Sequence, residues 1–328
     1  MSPEGVPGLA EGVETAGYRV ERQLGRGGMG EVWEATQLSL DRRVALKVIA
    51  AGIEAEPGFD ARFRTEAQMA ARVDHPAVLP VFDHGRLDDG RLFLTMKLVS
   101  GPDLGAVLEE QGPLPAAQAV GILLPIAEAL DAAHAAGLIH RDVKPSNVLL
   151  EPQGGSWRPY LADFGLAKSH AAGVNHTRTG NVVGTVDYMA PEQARGARTI
   201  DGRVDVYAFG CLLYRTVTGQ VPYPRDNDAA TMFAHVHEAP PVPSDVMAGL
   251  PLVVDKVVKR SMEKEVDRRA PSAGALMRWL AGQIEPLPVT AVTDLLPTSR
   301  SRAARRFAID LAILAPLFAI AYLIGTTL

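Results

Sequence analysis

Apolar and polar residues along the chain change their period near residue 100. Before that point, runs rich in β-branched and aromatic residues occur at 18–24, 31–36, 44–49, 78–83 and 92–99, the first two flanking a glycine cluster. The pattern predicts about five short strands. Asp89-Gly90 lies between the last two runs and marks a hairpin, because both residues tolerate the positive φ that a tight turn requires. One helix interrupts the strands, with Phe59, Phe63, Ala67, Ala70 and Val73 recurring at three- and four-residue steps to make a single apolar face.

From Leu104 onward the apolar positions follow a helical period, most clearly over 115–137, 205–218, 250–262 and 272–283. Pro125 falls inside the first of these. An interior proline removes a backbone hydrogen bond and costs roughly 3 kcal/mol, so it is expected to kink that helix or mark its start.

The two ends differ from the body. Residues 1–17 are acidic and broken by proline and glycine, lack the basic and apolar regions of a secretory signal, and read as a flexible amino terminus. Residues 307–324 are nearly all apolar, interrupted only by Asp310 and Pro316, and as a helix would span about 27 Å of hydrocarbon. Arg300, Arg302, Arg305 and Arg306 precede this run and nothing basic follows it. The positive-inside rule therefore predicts a transmembrane helix that keeps the preceding body in the cytoplasm, with 325–328 as a short outer tail. A buried terminal helix of a soluble domain is the alternative. Residues 285–306, with Pro286, Pro288 and Pro297 ahead of the arginines, read as a juxtamembrane linker.

Composition narrows the classes. At 328 residues, 47% hydrophobic and 22% charged, the chain is an ordinary globular protein rather than a disordered or collagenous one. A formal net charge of −5 supplies no global basic field, so no nucleic-acid partner is expected. With one cysteine, Cys211, no internal disulfide can form, as suits a reducing compartment.

Candidate chemistry begins at Gly25-Arg26-Gly27-Gly28-Met29-Gly30, a G-x-G-x-x-G placed between two strands rather than ahead of a helix. Glycines there let backbone amides approach phosphates, although a plain glycine-rich turn would look the same. Val44-Ala45-Leu46-Lys47 puts a lysine on an apolar strand, where its ammonium needs an anionic partner. Glu66, on the helix that follows, is the candidate. Two polar loops come later: His140-Arg141-Asp142-Val143-Lys144-Pro145-Ser146-Asn147 and Leu161-Ala162-Asp163-Phe164-Gly165.

Taken in order with Ala190-Pro191-Glu192, these segments resemble the eukaryotic-type protein kinase family over residues 18–284. The resemblance implies an α+β, two-lobed fold: a small antiparallel β-rich lobe with one helix (18–99) and a larger, mostly helical lobe (100–284). It implies ATP and Mg²⁺ as cofactors and proteins as substrates. By resemblance, Leu24, Gly25, Gly27, Gly30, Val32 and Ala45 enclose the nucleotide from above, and Met96, Lys97 and Val99 form the gatekeeper and hinge. Lys47, held by Glu66, positions the inner phosphates; Asn147 and Asp163 hold the metal; Asp142 orients the substrate hydroxyl; Lys144 neutralises the transferred group.

Lys144-Pro145-Ser146-Asn147 and the segment 184–192 resemble the Ser/Thr-specific branch, with Thr185 at the peptide platform, and the whole is similar to the membrane-anchored Ser/Thr kinases of bacteria. Arg141 beside Asp142 implies a phosphate partner, for which Thr177 and Thr179 are the candidates; activation by trans-autophosphorylation in a homodimer is the corresponding expectation. Lys97 departs from the family pattern, where an acidic residue is commoner. The rival readings are a catalytically idle membrane-anchored scaffold and a small-molecule phosphotransferase. Asp205 resembles the carboxylate that holds the catalytic-loop backbone, and Arg269 the partner of Glu192. Cys211 is expected to be a packed thiol, and His235-Val236-His237 a surface turn.

Overall fold

The computed structural model describes residues 9–28, 30–50, 58–164, 186–197 and 199–285. All of these described residues except 154–156 belong to one compact unit.

Its first part is a six-stranded antiparallel sheet in the order β1-β2-β3-β4-β6-β5. The strands are β1 (Glu14–Thr15), β2 (Tyr18–Gly27), β3 (Gly30–Gln37), β4 (Arg42–Ile49), β5 (Val81–Arg86) and β6 (Leu92–Lys97), with helix α1 (Phe59–Arg72) between β4 and β5. The two-residue β1 has no hydrophobic signature and was not among the five expected runs. Alternation along β4 decides the rest. Val44, Leu46 and Val48 join Tyr18, Trp33 and Phe93 in one core, while Ile49 packs with Phe59, Phe63 and Ala67 of α1. Lys47 shares the period-two face of Ala45 and Ile49, and its side chain reaches the cleft rather than the sheet core.

The second part is helical: α2 (Leu104–Gln111), α3 (Ala116–Ala135), hairpin β7 (Val148–Gln153) and β8 (Ser156–Leu161), then α4 (Pro191–Ala194), α5 (Arg203–Thr218), α6 (Asp228–His237), α7 (Pro243–Val246), α8 (Leu252–Ser261) and α9 (Ala273–Ala281). Asp103, Asn227 and Ser272 cap α2, α6 and α9, each accepting an amide hydrogen of the first turn. Helix α5 is buried around nearly its whole circumference, the signature of a central helix, and packs on α3 and α8. Gly210 permits this approach, since a β-carbon there would collide with Ser261 and Met262. Cys211 is fully buried, as expected of a core thiol.

Pro125 neither starts nor ends α3, which runs through it from Ala116 to Ala135. Its neighbours Leu123, Ile126 and Ala127 are fully buried, and that packing outweighs the lost hydrogen bond. Among the described residues α3 is also the one helix long and apolar enough to cross a membrane, but it is a core helix packed on α5 and α9. The run at 307–324 lies outside the described residues.

His235 corrects the expectation of a surface turn. It is fully buried on α6, with Nδ1 2.9 Å from the Tyr207 hydroxyl. Positions i and i+2 on a helix lie about 200° apart, so His235 faces the core while His237 faces outward against Phe233.

Candidate active site

The site is assembled from loops at the ends of these elements. Strands β2 and β3 meet in a hairpin with Gly25 opposite Val32 and Gly27 opposite Gly30. Space around Gly25, Gly27 and Gly28 is open, leaving their backbone accessible to a ligand, whereas Gly30, at φ 138°, has no room for a side chain against the Val48 carbonyl. Below the hairpin, Ala45, Leu79, Met96 and Ala162 form an apolar cluster, completed by Val32, Val99 and Leu149. Met96 and Val99, from the expected gatekeeper and hinge, both belong to this cluster. Leu24, on β2, is exposed.

The catalytic-loop candidates hang from α5. Asp205, fully buried, accepts the amide hydrogens of His140 (2.8 Å) and Arg141 (2.7 Å), and lies 2.7 Å from His134 Nε2. Those amides are free to point at one carboxylate because Arg141 adopts φ 62°, a left-handed turn that the carboxylate stabilises. His140 uses both ring nitrogens: Nε2 donates to the Ala162 carbonyl (2.9 Å) and Nδ1 accepts from the Asp142 amide (3.2 Å). That is the neutral tautomer, and burial pushes the His140 pKa below the ordinary histidine value. One imidazole thus ties the two polar loops together, with its ring 4.8 Å from that of Phe164.

Asp142, Lys144 and Asn147 converge. Lys144 Nζ is 3.0 Å from Asp142 Oδ2, and the Asn147 side-chain amide donates to the Asp142 carbonyl (2.7 Å) and to Oδ2 (3.2 Å). With its nitrogen so committed, Asn147 turns its side-chain oxygen to the other side, as a hard donor suited to Mg²⁺. Asp163, at φ 60° and partly exposed to the cleft, supplies the second such donor.

Lys47 and Glu66 are not paired with each other. Lys47 Nζ lies 2.7 Å from Asp163 Oδ1, and Glu66 Oε1 lies 3.4 Å from Arg141 Nη1. The expected Lys47–Glu66 pair is not formed in this structure: the ammonium is paired with the loop carboxylate and the helix carboxylate with the guanidinium. Burial raises the Glu66 pKa, with Arg141 opposing the shift.

Glu192 and Arg269 pair as expected, through two bonds of 2.6 and 2.9 Å in a buried bidentate contact. The partners of Lys97, namely Glu151 and Tyr160, were not anticipated, nor was His134 on Asp205; in neither case does sequence spacing carry a signal. Thr177, Thr179 and Thr185 lie outside the described residues.

A protein kinase domain profile matches residues 18–280. The chain belongs to the protein kinase family. It is 40% identical over 297 residues to the serine/threonine-protein kinase PknE of Mycobacterium tuberculosis, a match covering 90% of this chain and 51% of that protein. It is 42% identical over 259 residues to PknH of the same organism, covering 79% of this chain and 40% of the relative. The chain thus spans about half the length or less of these curated relatives. Among solved structures, the kinase domain of Mycobacterium tuberculosis PknI superposes with a TM-score of 0.68 at 33% identity, covering 84% of this chain and all of that one. The two-lobed kinase fold implied by the motifs is thereby established, and the loops just described occupy its interlobe cleft.

Proposed function

We propose that this chain is a bacterial protein serine/threonine kinase that transfers the γ-phosphoryl group of ATP to Ser and Thr hydroxyls of proteins. The observation that carries the reading is the convergence of Asp142, Lys144 and Asn147 on one loop, opposite Lys47 and Asp163. Phosphoryl transfer needs alignment and charge neutralisation more than covalent help. Bound Mg·ATP supplies the phosphoryl group, and the side-chain oxygens of Asn147 and Asp163 fit its metal. The open backbone of Gly25 to Gly28 suits phosphates, and the apolar cluster that includes Ala45 and Leu149 suits a planar base. Asp142 receives the hydrogen bond of the acceptor hydroxyl and takes its proton as the bond forms. Lys144, beside it, offsets charge on the transferred group.

Lys47 and Glu66 change partners in this scheme. Lys47 leaves Asp163 for the inner phosphates, and Glu66 leaves Arg141 for Lys47. A phosphate on Thr177 or Thr179 favours the exchange, because it offers Arg141 a stronger anion than Glu66. The family resemblance of residues 184–192 favours Ser/Thr over Tyr as acceptor, with Thr185 beside the peptide.

The test is transfer of labelled phosphate from Mg·ATP to casein by the full chain, followed by phosphoamino-acid analysis. Phosphoserine and phosphothreonine are expected, with at least about a hundredfold loss in Asp142→Asn; transfer to tyrosine alone, or equal transfer by the variant, contradicts the reading. Equal activity of a Thr177→Ala/Thr179→Ala double variant would refute the loop switch. We also propose that residues 307–324 anchor the chain as a single-pass helix in the cell membrane, with the kinase domain in the cytoplasm and dimerisation serving trans-autophosphorylation. Sedimentation with lipid vesicles by the full chain, but not by residues 1–285, is the expected result.

A further inference from the structure

The hinge carries the residue that departs from the family pattern, and that residue is not a solvated lysine. Lys97 closes β6: it stands opposite Val44 in the sheet, and its amide donates to the Pro80 carbonyl (2.9 Å). Its side chain runs the other way. Nζ lies 2.8 Å from Glu151 Oε2 on β7 and 2.7 Å from the Tyr160 hydroxyl on β8, and that hydroxyl donates to Glu151 Oε2 (3.1 Å). Three groups thus close a triangle, with one residue fixed by its backbone to the sheet and by its side chain to the hairpin of the helical lobe.

The triangle also touches the apolar cluster below the glycine hairpin, read above as the seat of the base. The Tyr160 ring is buried and packs in the same cluster as Ala45, Met96 and Ala162. Burial works against the Lys97 charge, but its bonds to Glu151 and Tyr160 leave its pKa above the ordinary lysine value. The reverse balance holds the Glu151 pKa below the ordinary carboxylate value. Both shifts favour the charged pair.

We infer that Lys97, Glu151 and Tyr160 form a latch that fixes the hinge against hairpin β7–β8 and so sets the affinity of the cleft for a purine nucleotide. The inference rests on the reading of this cleft as the ATP site. The three side chains are positioning groups and do not reach the phosphoryl path. Hinge contacts to the base are the same before and during transfer, so a loosened latch raises KM for ATP and spares kcat.

The experiment uses the full chain, with casein as acceptor for turnover and a non-hydrolysable Mg·ATP analogue for calorimetric binding. Glu151→Gln and Tyr160→Phe each remove one arm and are expected to raise KM for ATP, and the analogue's Kd, by about threefold to tenfold, the range for a partly exposed charge-assisted bond. Over the same series kcat should move by less than about twofold. Lys97→Glu should give a larger rise, and the exchange Lys97→Glu with Glu151→Lys should recover most of it, which a packing role would not do. Unchanged KM and Kd across the series, or a swap no better than Lys97→Glu alone, would overturn the latch. A parent chain that binds the analogue without phosphorylating would sink the kinase reading, and the latch would then be decided by the Kd ratios. A parent that binds no nucleotide would overturn both.

Discussion

Beneath the cleft, the catalytic loop hangs from Asp205, a fully buried carboxylate of the central helix that takes two backbone amides directly. Above it, Lys47 and Glu66 are placed by side-chain ion pairs to Asp163 and Arg141, segments outside the sheet and α1 that carry them. The lower arrangement is backbone to a buried carboxylate that also meets His134. The upper one rests on ion pairs between side chains, one of them long at 3.4 Å. In the proposed kinase, the half that handles the acceptor is held by the core, the half that handles phosphates is held by side-chain ion pairs, and the proposed loop switch acts on the second.

The sharpest way to break this contrast is Asp205→Ala. It leaves the amides of His140 and Arg141 buried without their acceptor, at roughly 1–3 kcal/mol each. Casein phosphorylation should fall by at least about a hundredfold and the thermal midpoint by several degrees. Lys47→Met should cost about as much activity, some 10²–10³ in kcat/KM for ATP, yet leave the thermal midpoint within about two degrees. Equal destabilisation by the two variants would erase the distinction between the halves.

Acid should act on the lower half. Burial holds His140 below the ordinary histidine value, and burial with the nearby Lys264 brings His235 to about 3. Both folded values lie under the unfolded one, so the folded state binds fewer protons: stability is complete above pH ~6.5 and declines as the pH falls through it. His235 should cost about 1.4 kcal/mol by pH 5.5, read from urea midpoints between pH 7.5 and 5.5, and His140 adds a loss of the same sign. His235→Gln should flatten that slope by about 1.4 kcal/mol over the interval. The smallest effect belongs to Glu66→Gln. Its pair with Arg141 is long and partly exposed, so stability should change by no more than about 0.5 kcal/mol while activity still drops.

The chemistry of the cleft was legible because each motif is local: Gly25 to Gly30, His140 to Asn147 and Leu161 to Gly165 each bring their groups within one turn of chain. So were Asp205 and the Arg269–Glu192 pair, through family resemblance. What the sequence does not encode is choice among partners far apart in the chain. Lys47 pairs with Asp163 and not with Glu66, because the fold sets α1 against Arg141 and the Asp163 loop against β4. His235 looked exposed beside His237 because three residues, His235-Val236-His237, are too few to show the helical phase that sends one inward. Lys97 stood out only as a departure from the family pattern, since Glu151 and Tyr160 become its neighbours only when β7 and β8 fold under the hinge.

Amide hydrogen exchange of the full chain, with and without a non-hydrolysable Mg·ATP analogue, tests the contrast most directly. The account predicts that amides over 138–143 are slow from the start and unchanged by nucleotide, while those of α1, the glycine hairpin and the hinge slow markedly on binding. A catalytic loop that exchanges freely until nucleotide binds would contradict it, because Asp205 could not then be what holds the loop in place.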